Sequence, residues 1–330
     1  MKKLLKRAAL VLAALIVIAI GAGAYFVLTF KPKQQPASSE RVEPTPERLA
    51  RGAYLAEGPL NCVSCHSARD EHRYGRPVAG PHGAGGVCFT KEYGFDGRLC
   101  PPNITPDKET GLGNWTDGEI LRAFREGIDR DGNGLNPACP YPDSRYLSDE
   151  DAKSVVVYLR SLPPVRNRVP EKQVGFPLSF FIKMVPRPLE GAVPAPDAAD
   201  PVAYGRYLAT VSHCRFCHTP VDQRYQPLPG MTFAGGMEHK GPWGTVRSAN
   251  LTPHVTGIGQ WQKENFIGIF TAFRAGLPAT DPQHNTPMPW PDLARMTDAD
   301  LGTIYDYLRT VPPVDHVVTR RPPPTGGATP

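Results

Sequence analysis

Two pentapeptides of the form C-x-x-C-H, Cys62-Val63-Ser64-Cys65-His66 and Cys214-Arg215-Phe216-Cys217-His218, use four of the chain's seven cysteines. Thiols three positions apart followed by an imidazole suit one chemistry closely. The thiols add to the two vinyl groups on one edge of a porphyrin, and the imidazole reaches the iron beneath it. Each pentapeptide reads as a covalent haem c site, two in all. Cys62, Cys65, Cys214 and Cys217 are then the attachments, and His66 and His218 the iron ligands. A zinc clip needs more ligands at short spacing, and a redox C-x-x-C needs a βαβ surrounding. No serine, cysteine or carboxylate constellation points to hydrolysis.

The elements that carry these pentapeptides occur twice. Gly52-Ala53-Tyr54-Leu55-Ala56 precedes the first and Gly205-Arg206-Tyr207-Leu208-Ala209 the second. Asn103-Ile104-Thr105-Pro106 corresponds to Asn250-Leu251-Thr252-Pro253, and Gly111-Leu112-Gly113-Asn114-Trp115 to Gly257-Ile258-Gly259-Gln260-Trp261. Residues 137–165 align with residues 286–314 without a gap. Each unit closes on a helix opened by a capping pair, Ser148/Asp151 or Thr297/Asp300. Apolar residues follow at helical period, Ala152, Val155, Val156 and Leu159 in one and Leu301, Ile304, Tyr305 and Leu308 in the other. Pro163-Pro164 and Pro312-Pro313 end them. A middle helix begins after Trp115, with Thr116 and Glu119 as its capping pair and Ile120, Ala123 and Phe124 as its buried side; its counterpart runs over about residues 262–274.

The 330-residue length allows two cores, and 38 prolines with 32 glycines predict short helices in a loop-rich shell. A covalently held haem fills what so small a core lacks. The net charge of +5 comes from the first 33 residues, which hold six bases and no acid; the remainder has 31 bases and 32 acids. Nucleic-acid binding therefore has no electrostatic footprint. Residues 8–30 are uncharged and mostly apolar behind four positive charges, a membrane span with its N-terminus in the cytoplasm. Ala22-Gly23-Ala24 offers a competing signal-peptidase site, although the apolar run continues past it. In both cases the haem units lie in the periplasm, where oxidised thiols persist.

Taken together, these motifs resemble the multihaem cytochrome c electron-transfer subunits of membrane-associated periplasmic dehydrogenases. The resemblance rests on C-x-x-C-H, N-[IL]-T-P, G-[IL]-G-x-W, a helix ending in R-x-G, a P-[MC]-P-[YW] turn and a closing Y-L-R helix before P-P-V. It covers residues 47–314. It implies an all-α chain with two tandem class I-like cytochrome c domains behind a transmembrane helix. The expected divisions are an anchor or signal over 1–30, a mobile linker over 31–45 and a first domain over 46–166. A packed linker over 167–200, a second domain over 201–317 and a flexible tail over 318–330 complete them. The resemblance also implies an axial methionine in the P-M-P turn, which Met288 matches. A thioether opposite His218 favours ferrous iron and a high potential. In the first unit Cys139 stands at that place, and a thiolate there lowers the potential of haem 1. Cys88 and Cys100 can pair, leaving Cys139 as the odd thiol. A Cys139 disulfide, a free thiol with His72 or His82 on the iron, and an open or otherwise ligated site remain alternatives.

Two functions follow. One is a carrier in the bacterial inner membrane, taking single electrons from a periplasmic dehydrogenase to another cytochrome, a quinone-linked complex or a terminal oxidase. The other is a dihaem oxidoreductase in which a His66/Cys139 haem takes a small sulfur anion or a peroxide. The second requires basic residues such as Arg69, Arg73, Arg76 and Arg98 to converge on the haem 1 iron. The segment Asp129-Arg130-Asp131-Gly132-Asn133-Gly134 starts like a calcium loop but has Pro140 where a bidentate glutamate belongs, so it reads as a turn. Trp115 and Trp261 read as core, and Met231, Met237 and His239 as packing or surface residues.

Overall fold

The computed structural model of the chain describes residues 2–222, 226–274 and 285–322. The first helix, α1 (Lys2–Thr29), buries no residue. Its 28 residues span about 42 Å at the α-helical rise, long and apolar enough to cross a bilayer. The helices after it are α2 (Pro46–Glu57), α3 (Cys62–Cys65), α4 (Asp117–Glu126), α5 (Tyr141–Ser144), α6 (Asp149–Ser161) and α7 (Leu178–Ile182). They continue with α8 (Pro201–Val211), α9 (Cys214–His218), α10 (Lys263–Thr271), α11 (Trp290–Leu293) and α12 (Asp298–Leu308). Among the described residues, strand is confined to three antiparallel ribbons. They pair β1 (Arg69–Asp70) with β2 (Arg76–Pro77), β3 (Gly97–Arg98) with β4 (Gln173–Val174), and β5 (Glu238–Gly241) with β6 (Gly244–Arg247).

The expected helix signals act where the motifs place them. Ser148 Oγ accepts the Asp151 N–H and Thr297 Oγ1 the Asp300 N–H, each at 3.1 Å, which starts α6 and α12. Thr116 and Glu119 form a reciprocal capping box on α4. Of the side expected to be buried on α4, Ile120 is buried, whereas Ala123 and Phe124 are only half-covered and Arg122 and Arg125 are buried. The arginines are covered because their guanidinium groups bond loop carbonyls, Asp129 O at 2.6 Å and Leu147 O at 2.8 Å.

α2 crosses α6, and α8 crosses α12, at the glycine of each G-x-Y-L-A motif. A Cβ on Gly52 would overlap the Ser154 carbonyl, and one on Gly205 the Thr303 carbonyl. Only glycine lets the backbones meet there. The apolar stripes of α6 and α12 are buried as their period requires. They do not fill separate cores, however. Leu55, Val155 and Leu159 belong to the same apolar cluster as Leu208, Leu301 and Leu308. The halves join because each lends a tyrosine to the other's closing helix. Tyr207 OH donates to Asp151 Oδ2 at 2.5 Å and accepts the Ser148 N–H at 3.3 Å. Tyr54 OH donates to Asp300 Oδ2 and accepts the Thr297 N–H at 3.4 Å.

Two segments expected to be mobile are laid down against the body. In residues 31–45, Val42 is buried and its N–H reaches Asp117 Oδ2 at 2.9 Å, while Lys31 and Gln34 bond the carbonyls of Asp131 and Gly132. Polarity and proline content suggested freedom, but these backbone and amide groups find partners in the 117–132 region. In the tail, Arg320 O accepts the Arg247 N–H at 2.7 Å and Arg321 donates to Trp243 O at 3.2 Å. The rest of the expected tail, 323–330, lies outside the described residues. The linker over 167–200 packs as expected through β4, through buried Ile182 and through Val193 O, which accepts the Asp149 N–H at 2.9 Å.

Candidate functional site

Both C-x-x-C-H segments form a single helical turn entered through a left-handed residue, Asn61 at φ 52° and His213 at φ 60°. Non-glycine residues rarely hold this conformation, and asparagine and histidine are among those that tolerate it best. The turn puts the two cysteines of each segment on one face, since positions three apart are neighbours on a helix. Cys62, Cys65, Cys214 and Cys217 are all free thiols, as is Cys139, whereas Cys88 and Cys100 are joined in a disulfide. That resolves the cysteine pairing left open by the sequence.

The adjacent imidazoles are oriented identically. His66 Nδ1 lies 2.7 Å from Pro102 O, and His218 Nδ1 lies 2.7 Å from Ala249 O. A carbonyl can only accept, so Nδ1 carries the proton and Nε2 presents a lone pair, the tautomer a metal ligand needs. Burial pushes His66 below the usual histidine range and His218 down to about 4, which keeps both rings neutral. The carbonyls are held by the asparagine that follows each of them. Asn103 Nδ2 donates to Thr110 Oγ1 at 3.0 Å and Val165 O at 2.7 Å, and Asn250 Nδ2 donates to Thr256 Oγ1 at 3.2 Å and Val314 O at 3.0 Å. The N-[IL]-T-P motif is thus the support of the histidine.

The turns carrying Cys139 and Met288 share their hydrogen bonds. Tyr141 N–H reaches Cys139 O at 2.7 Å and Trp290 N–H reaches Met288 O at 2.8 Å. The segment from each turn to its closing helix is held by the arginine of R-x-G. Arg125 donates to Leu147 O at 2.8 Å and pairs with Asp149 at 2.9 Å. Arg274 donates to Met296 O at 2.6 Å and pairs with Asp298 at 2.7 Å. Cys139 lies close enough to Cys62 and Cys65 for their charges to interact, and burial pushes its thiol up to about 12. Ionising that sulfur requires a cation against it. Met288 packs half-buried on the core. His72 and His82, the alternative donors to the first iron, are both exposed.

Two aspartates at equivalent positions of the turns, in Tyr141-Pro142-Asp143 and Trp290-Pro291-Asp292, cross between the halves. Asp292 accepts from Ser64 Oγ inside the first C-x-x-C-H. Asp143 Oδ2 lies 3.3 Å from His213 Nδ1 at the entrance to the second. Burial raises Asp292 to about 6, against smaller lowering by the Ser64 hydrogen bond and by Arg295 and Arg69. The repeated P-D dipeptide was visible in the sequence, but the repeat itself implied partners within each unit. His239, read as packing or surface, is half-buried in β5 near Cys217 and His218, where burial lowers its pKa. A cavity of about 490 Å³ joins Cys65 and Asp292 to Pro287 and Pro289, between the first attachment loop and the Met288 turn.

Of the four arginines required by a substrate site, Arg69 alone lines the cavity beside Cys65, and it pairs with Glu71 at 3.0 Å. Arg73 pairs with Asp70 at 3.7 Å, Arg98 donates to Glu171 O at 3.3 Å, and Arg76 is exposed. Trp115 and Trp261 pack on the core, as read. The 129–134 segment is a turn in which Asp129 Oδ1 accepts the N–H groups of Asp131 and Asn133.

Free paired thiols beside a tautomer-fixed imidazole fit a covalent haem c in each half. Residues 49–163 match the cytochrome c family. The chain is 32% identical over 294 residues to the fructose dehydrogenase cytochrome subunit of Gluconobacter japonicus, covering 83% of this chain and 56% of that protein. It is 36% identical over 183 residues to the gluconate 2-dehydrogenase cytochrome c subunit of Pantoea cypripedii, covering 52% of this chain and 38% of that one. With a dihaem cytochrome c-type protein of Cereibacter sphaeroides it shares 27% identity over 261 residues, 77% of this chain and 83% of the relative. The chain spans about half the length of the first of these and less of the second. It therefore carries a cytochrome c domain, which implies covalently bound haem c, and is a homologue of the cytochrome c subunits of fructose, alcohol and gluconate dehydrogenases.

Proposed function

We propose that this chain is a membrane-tethered periplasmic dihaem cytochrome c. It takes single electrons from a dehydrogenase and passes them to a downstream respiratory acceptor, namely another cytochrome, a quinone-linked complex or a terminal oxidase. The observation that carries this reading is the duplicated support of His66 and His218, each imidazole pinned through Nδ1 at 2.7 Å beside a pair of free cysteines. The two haems supply a reversible one-electron couple.

The chain's own residues do the rest. Cys62 and Cys65, and Cys214 and Cys217, would attach the two groups, and His66 and His218 would each offer Nε2 to an iron. Cys139 would be the further ligand of the first and Met288 of the second. A thiolate favours the oxidised state and a thioether the reduced one, so electrons entering the first domain (46–166) run downhill into the second (201–317). The shared cavity beside Cys65 and the Met288 turn supports passage between them. The single arginine beside Cys65, Arg69, is already paired with Glu71, which favours this carrier over a site for a sulfur anion or peroxide. The apolar α1 supports an inner-membrane anchor, and the names of the relatives support a dehydrogenase as donor.

Mass spectrometry of the denatured chain tests the count. The expected gain is two haems, and a gain of one overturns the two-domain reading.

A further inference from the structure

The segment between the two halves carries more apolar surface than its packing uses. Phe180 is the ring that packs, 5.5 Å from Phe30 and 6.2 Å from Phe26 between centroids, against the last turn of α1. Its neighbours face out. Phe176 is 73% exposed, Phe181 57% and Met184 56%, with Leu178 and Val185 also exposed. Single exposed apolar residues are ordinary on a protein surface, but five within ten positions form a patch. Beside it opens a cavity of about 800 Å³ whose lining includes Phe30, Lys33, Arg145, Lys183, Arg187 and Glu190. Four cations face one carboxylate along this lining, of which Arg145 also donates to Pro188 O at 3.1 Å and lies near Glu126. Lys183 Nζ also caps α1, donating to Val27 O at 3.4 Å.

The geometry points to a membrane foot. Phe176, Phe181 and Met184 enter the lipid interface of the leaflet from which α1 emerges, and Lys33, Arg145, Lys183 and Arg187 receive the phosphates of anionic lipids. This rests on α1 being a bilayer anchor. Given that, depth decides the occupant. Phe26 and Phe30 lie within the apolar span, so Phe180 stacked on them, and the exposed rings next to it, sit at the edge of the hydrocarbon. An apolar face rimmed by lysine and arginine is the pattern of a segment lying in that interface. Basic residues there gain from anionic headgroups over a short range. With one helix alone the body can tilt about its attachment. A second contact through residues 176–187 fixes the height and tilt of both haem-bearing halves above the bilayer.

The test uses the full haem-loaded chain in vesicles of phosphatidylcholine, with and without phosphatidylglycerol. Each vesicle carries a photoreactive phospholipid, and adducts are mapped by mass spectrometry. Adducts are expected in α1 and in residues 176–185, the latter several-fold higher with phosphatidylglycerol. The variant F176S/F181S/M184S is expected to lose the second set and keep the first. Lys183→Glu with Arg187→Glu is expected to abolish the dependence on phosphatidylglycerol. Adducts in α1 with none in 176–185 overturn the foot and leave the anchor standing; adducts in neither overturn the anchor, and the foot with it. Equal adducts with and without phosphatidylglycerol overturn the phosphate assignment. If 176–185 is protected from lipid whenever a purified dehydrogenase partner is bound, the patch is a protein interface and the proposal fails.

Discussion

The sulfurs of Cys139 and Met288 sit in turns with the same hydrogen bonds, yet they offer iron different chemistry. Cys139→Met should make the low-spin ferric signature of the first haem converge on that of the second. The potential of that haem should also rise by several decades in its one-electron equilibrium, each about 59 mV. Electron paramagnetic resonance and a spectroelectrochemical titration read both effects, and if neither moves, Cys139 is not the ligand. Met288→Ala should keep the second haem attached, because Cys214 and Cys217 are its proposed attachments, while its potential falls. An unchanged titration would place another residue on that iron. At this scale much was legible. The ungapped repeat put Cys139 opposite Met288, and the turn geometry agrees. Which cysteines pair was not legible, because two thiols within bonding range in space carry no mark of it in the chain.

Helix crossings explain the glycine of the G-x-Y-L-A motif. Gly205→Ala puts a methyl into the Thr303 carbonyl, so α8 and α12 must separate. The expected cost is about 1–3 kcal/mol of stability, the range for overpacking. Gly268, within α10, has open space where a Cβ would go, and Gly268→Ala should be neutral or stabilising by up to about 1 kcal/mol. Thermal denaturation of the two variants separates close approach from helix propensity; equal effects would refute the crossing argument. Replacing Cys88 and Cys100 together by serine opens a loop closed over a separation of 12 residues and should cost about 3 kcal/mol. The haem spectra should not change, and loss of the first haem's low-spin signal would instead make one of these cysteines a ligand.

Across the whole molecule, the halves complete one another. Tyr54 and Tyr207 are exchanged between closing helices, and Asp143 and Asp292 between attachment loops. In the dihaem reading, an ionised Asp292 beside Cys65 should favour ferric iron in the first haem. Its carboxyl is raised to about 6, so it is charged above that pH and neutral below it, and the potential of the first haem should fall as pH rises through about 6. Asp292→Asn keeps the shape and removes the charge. At pH 8 the variant should have the higher potential, and at pH 5 it should match the native chain, with the second haem as internal reference. A pH-independent difference would mean that Asp292 only positions the loop. The stability sign agrees. A carboxyl raised in the folded state holds its proton there longer than in the unfolded chain, so its contribution declines as pH climbs from about 4 to 6. Asp292→Asn should flatten that part of the stability curve.

By itself the sequence determined whatever depends on local spacing. C-x-x-C-H sets thiols and an imidazole on one turn, capping pairs start the helices, prolines stop them, and a period of 3.6 marks the faces that become buried. The internal repeat added the correspondence of Cys139 with Met288. Tertiary structure alone decided what those faces meet, because burial is non-directional and an apolar stripe does not name its partner. It merged two expected cores into one and carried Asp292 across to Ser64. It laid residues 31–45 along the body and left Phe176, Phe181 and Met184 facing outward beside α1. Each of these depends on the distance between residues far apart in the chain, which the spacing of motifs does not contain.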